Sequence, residues 1–219
     1  NPEGAFAIGL KVGRRSGDLV LLDFTGAMRG KLHQPYGFPT PQRIVDFVRE
    51  GVASLCQNLT DGQRNKIAGL GIAAPFELWN WEEAAGAPPD VLDSWRDFDL
   101  AAELSKLGDW PVHFSNDATA ACAAELLFGK GATFPSFAYF FVGHFIGGGL
   151  VLNGHVYPGR AGNAGAFAAL PLFNSGGERR QLIHQASLYV LENRMRDAGL
   201  DPKRLVQNPA DWGDIGPLM

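Results

Sequence analysis

Apolar and polar positions alternate with turn residues at the start of the chain. Ala5 to Val12, AFAIGLKV, reads as a strand, and Gly13 to Gly17 as a turn. Asp18 to Phe24, DLVLLDF, reads as a second strand, Gly26 marks the next turn, and Lys31 to Tyr36 predicts a third. Three strands with short turns make an antiparallel meander. Thr40 then caps a helix with Pro41 at its first position. Ile44, Val48, Val52, Leu55 and Leu59 recur at three- and four-residue spacing, so one helix face is apolar. Lys66 to Ala74, KIAGLGIAA, is a nearly continuous apolar run and predicts a buried strand.

Asp99 predicts the cap of a short helix to Leu107, followed by a strand from Val112 to Ser115 and an alanine-rich helix from Asp117 to Phe128. The order β-β-β-α-β-α-β-α predicts an α/β fold, a mixed sheet with helices crossing over it. A second strand-rich region begins at Phe134, with SFAYFFVG, GGGLVLNG and HVY in succession. Leu182, Ala186, Tyr189 and Val190 then predict one long helix from about Glu178 to Ala198. Gly129-Lys130-Gly131 is the natural lobe boundary: an N-terminal lobe over 1–130 and part of a second lobe over 131–219.

Composition narrows the function classes. Net charge is −4, from 19 basic and 23 acidic residues. A surface that grips DNA by itself carries a basic stripe. Here there are only short basic spots, at Arg14-Arg15 and Arg179-Arg180. Cys56 and Cys122 fall in predicted helices and read as buried free thiols. No stretch has the apolar length of a membrane span and no signal segment opens the chain, so the expectation is a cytoplasmic protein. The five histidines show no metal-ligand spacing and read as structural or solvated. Trp79, Trp81 and Trp95 flank the middle loop, where they could stack on a sugar or pack in the core.

Three clusters could carry chemistry. Asn116-Asp117-Ala118 stands at a strand-to-helix junction, where open α/β sheets bind ligands. A carboxylate there can accept a hydroxyl proton, or the pair can simply cap the helix. Gly143-His144-Phe145-Ile146-Gly147-Gly148-Gly149 lies between two strands and reads as an anion-approaching loop or an ordinary glycine turn. Gly159-Arg160-Ala161-Gly162-Asn163-Ala164-Gly165 is a third glycine-punctuated loop, a binding loop or a plain connection.

Taken in order, these clusters resemble the ROK family (repressor, open reading frame, kinase). VHFSNDATAACAAELLFG is similar to the family segment of a strand, Asn-Asp-Ala and a helix ending in Glu-x-x-x-Gly. VGHFIGGGLVLNGHVYPGRAGNAG resembles the signature Gly-Thr-Gly-Ile-Gly-Gly-Gly, Asn-Gly, Ala-Gly-Glu-x-Gly-His. IGLKVGRRSGDLVLLDFTG resembles the first phosphate loop and its hairpin, and GLGIAAP, Trp95 and FDL match the segment between. The resemblance runs from about Ala5 to Asp211. It implies an actin-like, ribonuclease H-like ATPase fold of two lobes with mixed sheets, short of the C-terminal elements that close the nucleotide lobe. It also implies a dimer or tetramer.

By the resemblance, Asp117 stands where ROK kinases place the catalytic base, and Asn116 would contact the sugar. Gly13 belongs to the first phosphate loop; Gly143, Gly147, Gly148 and Gly149 belong to the second. Asn163 falls at a sugar-holding glutamate, and Asp90 near a sugar-contacting asparagine. The departures are as informative. The first loop normally reads Asp-x-Gly-x-Thr, with the aspartate near magnesium; here it is Lys11-Val12-Gly13-Arg14-Arg15. That exchange changes the local charge by two units and weakens Mg²⁺ positioning. His144 and Phe145 replace a threonine and a glycine, and Phe145 adds bulk where a nucleotide phosphate approaches. Ala166 replaces the histidine that sugar and zinc share. Asn174, Gly176 and Gln181 stand at the zinc cysteines and Ile183 at a further sugar-contacting glutamate, so no zinc is expected.

Three readings are open. One is the effector domain of a ROK transcriptional regulator, taking a sugar or sugar derivative with no required cofactor. It would reach DNA through a helix-turn-helix preceding Asn1. The second is an ATP-dependent hexose or amino-sugar kinase using Mg-ATP, with Asp117 as its base. The third is a fold used only for oligomerisation.

Overall fold

The computed structural model describes residues 1–81, 87–173 and 177–202. Its contacts divide the chain into two compact units, Asn1–Ala120 and Ala121–Met219.

The first unit is built on a five-stranded mixed sheet in the order β3-β2-β1-β4-β5. Its strands are β1 (Phe6–Val12), β2 (Ser16–Asp23), β3 (Met28–Pro35), β4 (Ile67–Ala74) and β5 (Val112–Asn116). β1, β2 and β3 form the antiparallel meander, while β4 runs parallel to both β1 and β5. Side chains on a strand alternate between the faces. Phe6, Ile8, Leu10 and Val12 of β1 therefore share one face and are buried there with Leu19, Leu21, Leu70 and Ile72. The helix α1 (Pro41–Leu55) packs Ile44, Val45, Phe47 and Val48 into the same core. Pro41 occupies its first turn as expected, but the Thr40 side chain makes no capping hydrogen bond. A short α2 (Asp61–Arg64) carries a full capping box between Thr60 and Gln63. In α3 (Leu100–Leu104), Asp99 does accept the Ala102 N–H at 2.9 Å.

The expectation that β4 is buried on both sides is corrected. Leu70, Ile72 and Ala74 are buried, but Gly71 on the opposite face is exposed, as is Ala68 near the strand's start. An apolar run of alanine and glycine satisfies a strand without requiring cover on both faces, because these residues have little surface to hide.

The division between units falls within α4 (Asp117–Phe128). The second unit contains the antiparallel sheet β6 (Phe137–Val142), β7 (Ile146–Leu152) and β8 (His155–Val156). Asn153 and Gly154 both have positive φ, which is the conformation a two-residue hairpin turn needs. A two-stranded pair joins β9 (Pro171–Phe173) to β10 (Arg179–Gln181).

The single helix expected from Glu178 to Ala198 is not formed. Arg179–Gln181 pairs as a strand, and the helical residues divide into α5 (Ile183–Ala186) and α6 (Leu188–Asp197). The break is at Ser187, which is 3% exposed and extended at φ −81°, ψ 144°. Its hydroxyl accepts the Ile146 N–H at 3.0 Å. The first donors of α6 are used as well: Leu188 N–H donates to Gly143 O at 3.1 Å and Tyr189 N–H to His144 O at 3.0 Å. A tertiary network to the β6–β7 turn therefore outweighs continuation of the helix.

Candidate functional site

The sheet register of the first unit assembles a row of side chains on the face opposite the core. His33 lies across from Asp18, Asp18 from Lys11, Lys11 from Ala73, and Ala73 from Ser115. A parallel row runs Gly9, Gly71, His113. All of these except His33, with Val20, Lys31 and Ala120, line a cavity of about 660 Å³. That volume lies in the range of small-molecule sites.

The electrostatics of the row are uneven. Asp18 is committed to one side, 3.1 Å from Lys31 Nζ and 3.0 Å from His33 Nδ1. Burial opposes its ionisation, but the hydrogen bonds from His33 and Lys31 hold the carboxyl below its ordinary range. Lys11 is thus left without Asp18. Its ammonium lies over the β1–β2 turn, about 3.8 Å from where a side chain on Gly13 would begin. It acts on Asp117 through its charge.

Asp117 opens α4 at the C-terminal end of β5. Burial raises its carboxyl pKa, opposed by the Ala118 N–H and by Lys11. Its Oδ1 accepts that N–H at 2.9 Å. Asn116 acts as the cap: its Oδ1 accepts from Ala118 N–H at 3.1 Å and Thr119 N–H at 3.3 Å. Capping at this junction is thus shared by the Asn116 side chain and Asp117 Oδ1.

Gly13 is held by its own hairpin. Its N–H donates to Ser16 O at 2.9 Å, and its carbonyl accepts the Tyr36 hydroxyl at 2.8 Å. Burial pushes the Tyr36 phenol pKa up. Nothing local in the sequence distinguishes Tyr36 as a tyrosine that reaches across a hairpin. The β1–β2 turn is therefore a locked structure with its glycine N–H already satisfied. Arg15 is exposed at the same turn, and its carbonyl accepts the Tyr36 N–H.

The other expected residues lie apart. Asp90 is exposed with left-handed backbone, φ 65°, and does not line the cavity at Lys11. In the second unit, Gly147, Gly148 and Gly149 are not loop residues: they lie inside β7, opposite Phe141, Phe140 and Tyr139. The turn itself is Gly143-His144-Phe145. A side chain on Gly148 would collide with the Tyr139 carbonyl and the Phe167 ring, and one on Gly165 with the Gly148 carbonyl. Gly148 and Gly165 thus permit a close approach that a side chain at either position would block. Asn163 is exposed in the Gly159–Gly165 loop, where its carbonyl accepts the Ala166 N–H at 3.0 Å.

His144 is nearly buried, with Nδ1 3.7 Å from Glu192 Oε1, and its ring packs on Phe145 and Tyr189. Of the positions aligned with the zinc motif, Asn174 and Gly176 lie outside the described residues. Gln181 ends β10 and Ile183 begins α5. Among the described residues, no three His, Cys, Asp or Glu side chains group where they could hold a metal.

Trp95 resolves to the core: it is 6% exposed and its Nε1 donates to Pro39 O at 2.9 Å. Trp79 carries the Arg96 guanidinium 5.7 Å from its ring centre. Among the described residues, no helix is long and apolar enough to cross a membrane.

Known proteins resemble this chain in sequence and fold. The sequence matches the ROK family over residues 7–173. The xylose repressor of Bacillus subtilis is 22% identical over 176 residues, covering 80% of this chain and 45% of that protein. The chain spans about half the length of the curated relatives it matches. Among solved structures, the ROK hexokinase from Thermus thermophilus superposes with a TM-score of 0.68 at 23% identity, over 97% of this chain and 72% of that one. A ROK family transcriptional regulator homologous to the E. coli MLC protein gives 0.65 at 18% identity, over 95% and 52%. The fold is the actin-like fold of these proteins, with its mixed sheet and crossing helices. A match that extends from the β1–β2 hairpin through the glycine strand to β9 makes this chain a member of the ROK family.

Proposed function

We propose that this chain is the sugar-sensing effector domain of a ROK transcriptional regulator and does not transfer phosphate. The observation that carries this reading is Lys11. Its ammonium stands beside Gly13 and acts on Asp117 through its charge, where the family resemblance implies a metal-associated carboxylate. Mg²⁺ requires hard oxygen ligands, and an ammonium supplies none and repels the ion. The donor set at this end of the sheet therefore does not suit Mg-ATP. Asp117 and Asn116 are retained and would hold sugar hydroxyls. Similarity to a xylose repressor and to a ROK regulator supports the same reading. DNA would be reached through a helix-turn-helix outside this chain, and a cytoplasmic homo-oligomer is the expected form.

A second reading is an ATP-dependent sugar kinase, favoured by Asp117 at the position of the family's catalytic base and by the likeness to a hexokinase. Melting temperatures in a panel of sugars, amino sugars and sugar phosphates, with and without Mg-ATP, separate the two. The sensor reading expects a rise with sugar that Mg-ATP leaves unchanged and that Asp117→Ala abolishes. A further rise with Mg-ATP, followed by turnover above the Asp117→Ala background, would establish the kinase.

A further inference from the structure

Aromatic side chains that follow β4 and precede α3 enclose a second cavity in the first unit. We infer that this cavity binds an organic ammonium ion, an amine carried on a short apolar or aromatic arm. The site is separate from the cavity at Lys11 and does not rest on the effector-domain reading.

The cavity has a volume of about 690 Å³, within the range of small-molecule sites. No residue lines both cavities, because β5 alternates: His113 and Ser115 line the one at Lys11 and Phe114 lines this one. Phe76 and Phe114 stack with ring centres 6.2 Å apart and planes 23° from parallel. They remain open to solvent, at 53% and 45% exposure, so the pair is not part of the core. Phe98 continues the wall, its ring meeting that of buried Trp95 edge-on with centres 5.8 Å apart. Contiguous apolar surface left in water on a concave wall marks a contact site, since the fold gains nothing from exposing it.

The charges around that wall decide the class of ligand. Among the described residues, Glu77, Asp97 and Asp99 line the cavity against a single cation, Arg96. Arg96 is already engaged: its Nε lies 2.8 Å from Asp93 Oδ1, and its guanidinium stands 5.7 Å from the Trp79 ring centre. Asp99 caps α3. Asp97 takes no hydrogen bond or ion pair among the described residues, and the Glu77 carboxylate accepts only the Asn80 amide at 2.9 Å. Two carboxylates beside an aromatic wall therefore lack a counter-charge. The faces of aromatic rings attract cations, and Trp79 already holds one in this way. An anionic guest would be repelled, and a neutral one would leave both carboxylates unanswered. An ammonium group answers them with charge-assisted hydrogen bonds while its apolar arm covers Phe76 and Phe114.

The test is calorimetric titration of the protein with three probes of similar shape: phenylethylammonium, phenylethanol and phenylpropionate. The ammonium is expected to bind about fivefold more tightly than the alcohol, and the carboxylate most weakly of the three. Glu77→Gln combined with Asp97→Asn should bring ammonium and alcohol within about twofold of each other. The same loss of two charges by Glu50→Gln with Asp61→Asn, away from the cavity, should leave the preference intact, which separates the site from the chain's net charge of −4. Phe76→Ala should weaken the ammonium and the alcohol alike, and its half-exposed ring can be removed without opening the core. The inference is overturned if none of the probes binds, if the alcohol or the carboxylate binds as tightly as the ammonium, or if the preference survives Glu77→Gln with Asp97→Asn. Each of those results leaves the effector-domain reading as it stands, because that reading is tested by sugars at Asp117.

Discussion

Asp117 holds a carboxyl where burial disfavours its charged form. Burial raises its pKa above the ordinary 3.8 despite the Ala118 N–H and Lys11. The fold therefore favours the protonated form. The stability this gives is complete at low pH and is lost as pH rises through the folded-state value. Asp117→Asn keeps an acceptor for the Ala118 N–H and removes the charge. It should melt at a higher temperature than the parent at pH 7, with the gap closing below pH 3.8. A gap that stays constant from pH 3 to 8 would show that ionisation is not its cause. Asp23 makes the opposite case. Its carboxyl accepts the Thr25 hydroxyl at 2.6 Å, the Thr25 N–H at 2.9 Å and the Ala27 N–H at 3.1 Å, and lies 3.0 Å from Arg29 Nε. The Thr25 hydroxyl leads in lowering its pKa, with burial opposing. Asp23→Ala should lower the melting temperature at pH 7 and cost progressively less as pH falls through the carboxyl's depressed value. A sequence cannot reveal either direction, because both residues are aspartates at strand ends and only their neighbours differ.

Among elements, α6 and the β6–β7 turn form one cooperative piece. The Ser187 hydroxyl satisfies a buried N–H of β7, and α6 returns two N–H groups to the turn carbonyls. Ser187→Ala strands the Ile146 N–H, at a cost of roughly 1–3 kcal/mol by the usual penalty for an unpaired buried donor. Denaturant unfolding should record that loss, and Ser187→Thr should recover part of it. A loss below about 0.5 kcal/mol, the level of an ordinary surface change, would show that the bond does not hold the helix break. Apolar spacing from Leu182 to Val190 predicted a continuous helix because periodicity counts faces and not hydrogen-bond partners. The glycines of β7 were similarly ambiguous: a strand that packs backbone against Gly165 and a loop that approaches an anion both require residues without side chains.

For the whole molecule, charge sets the expectation. With 23 acidic against 19 basic residues, this chain by itself should show no salt-dependent binding to duplex DNA by fluorescence anisotropy, since phosphate contacts dominate such affinity. Tight binding by the 219-residue chain would place a DNA-reading surface within it and overturn the division of labour proposed here. The amino-acid sequence alone determined the meander, the β-α-β order and the family, because strand alternation, helix spacing and ordered glycine motifs are local patterns that survive at low identity. It also showed that a lysine stands where the family has a carboxylate. Tertiary structure decided what that lysine does. Only the register across β3, β2 and β1 commits Asp18 to Lys31 and His33 and leaves Lys11, across from Asp18, outside that pairing. Pairing between residues distant along the chain depends on which strands meet and on which face, and no local pattern carries that information.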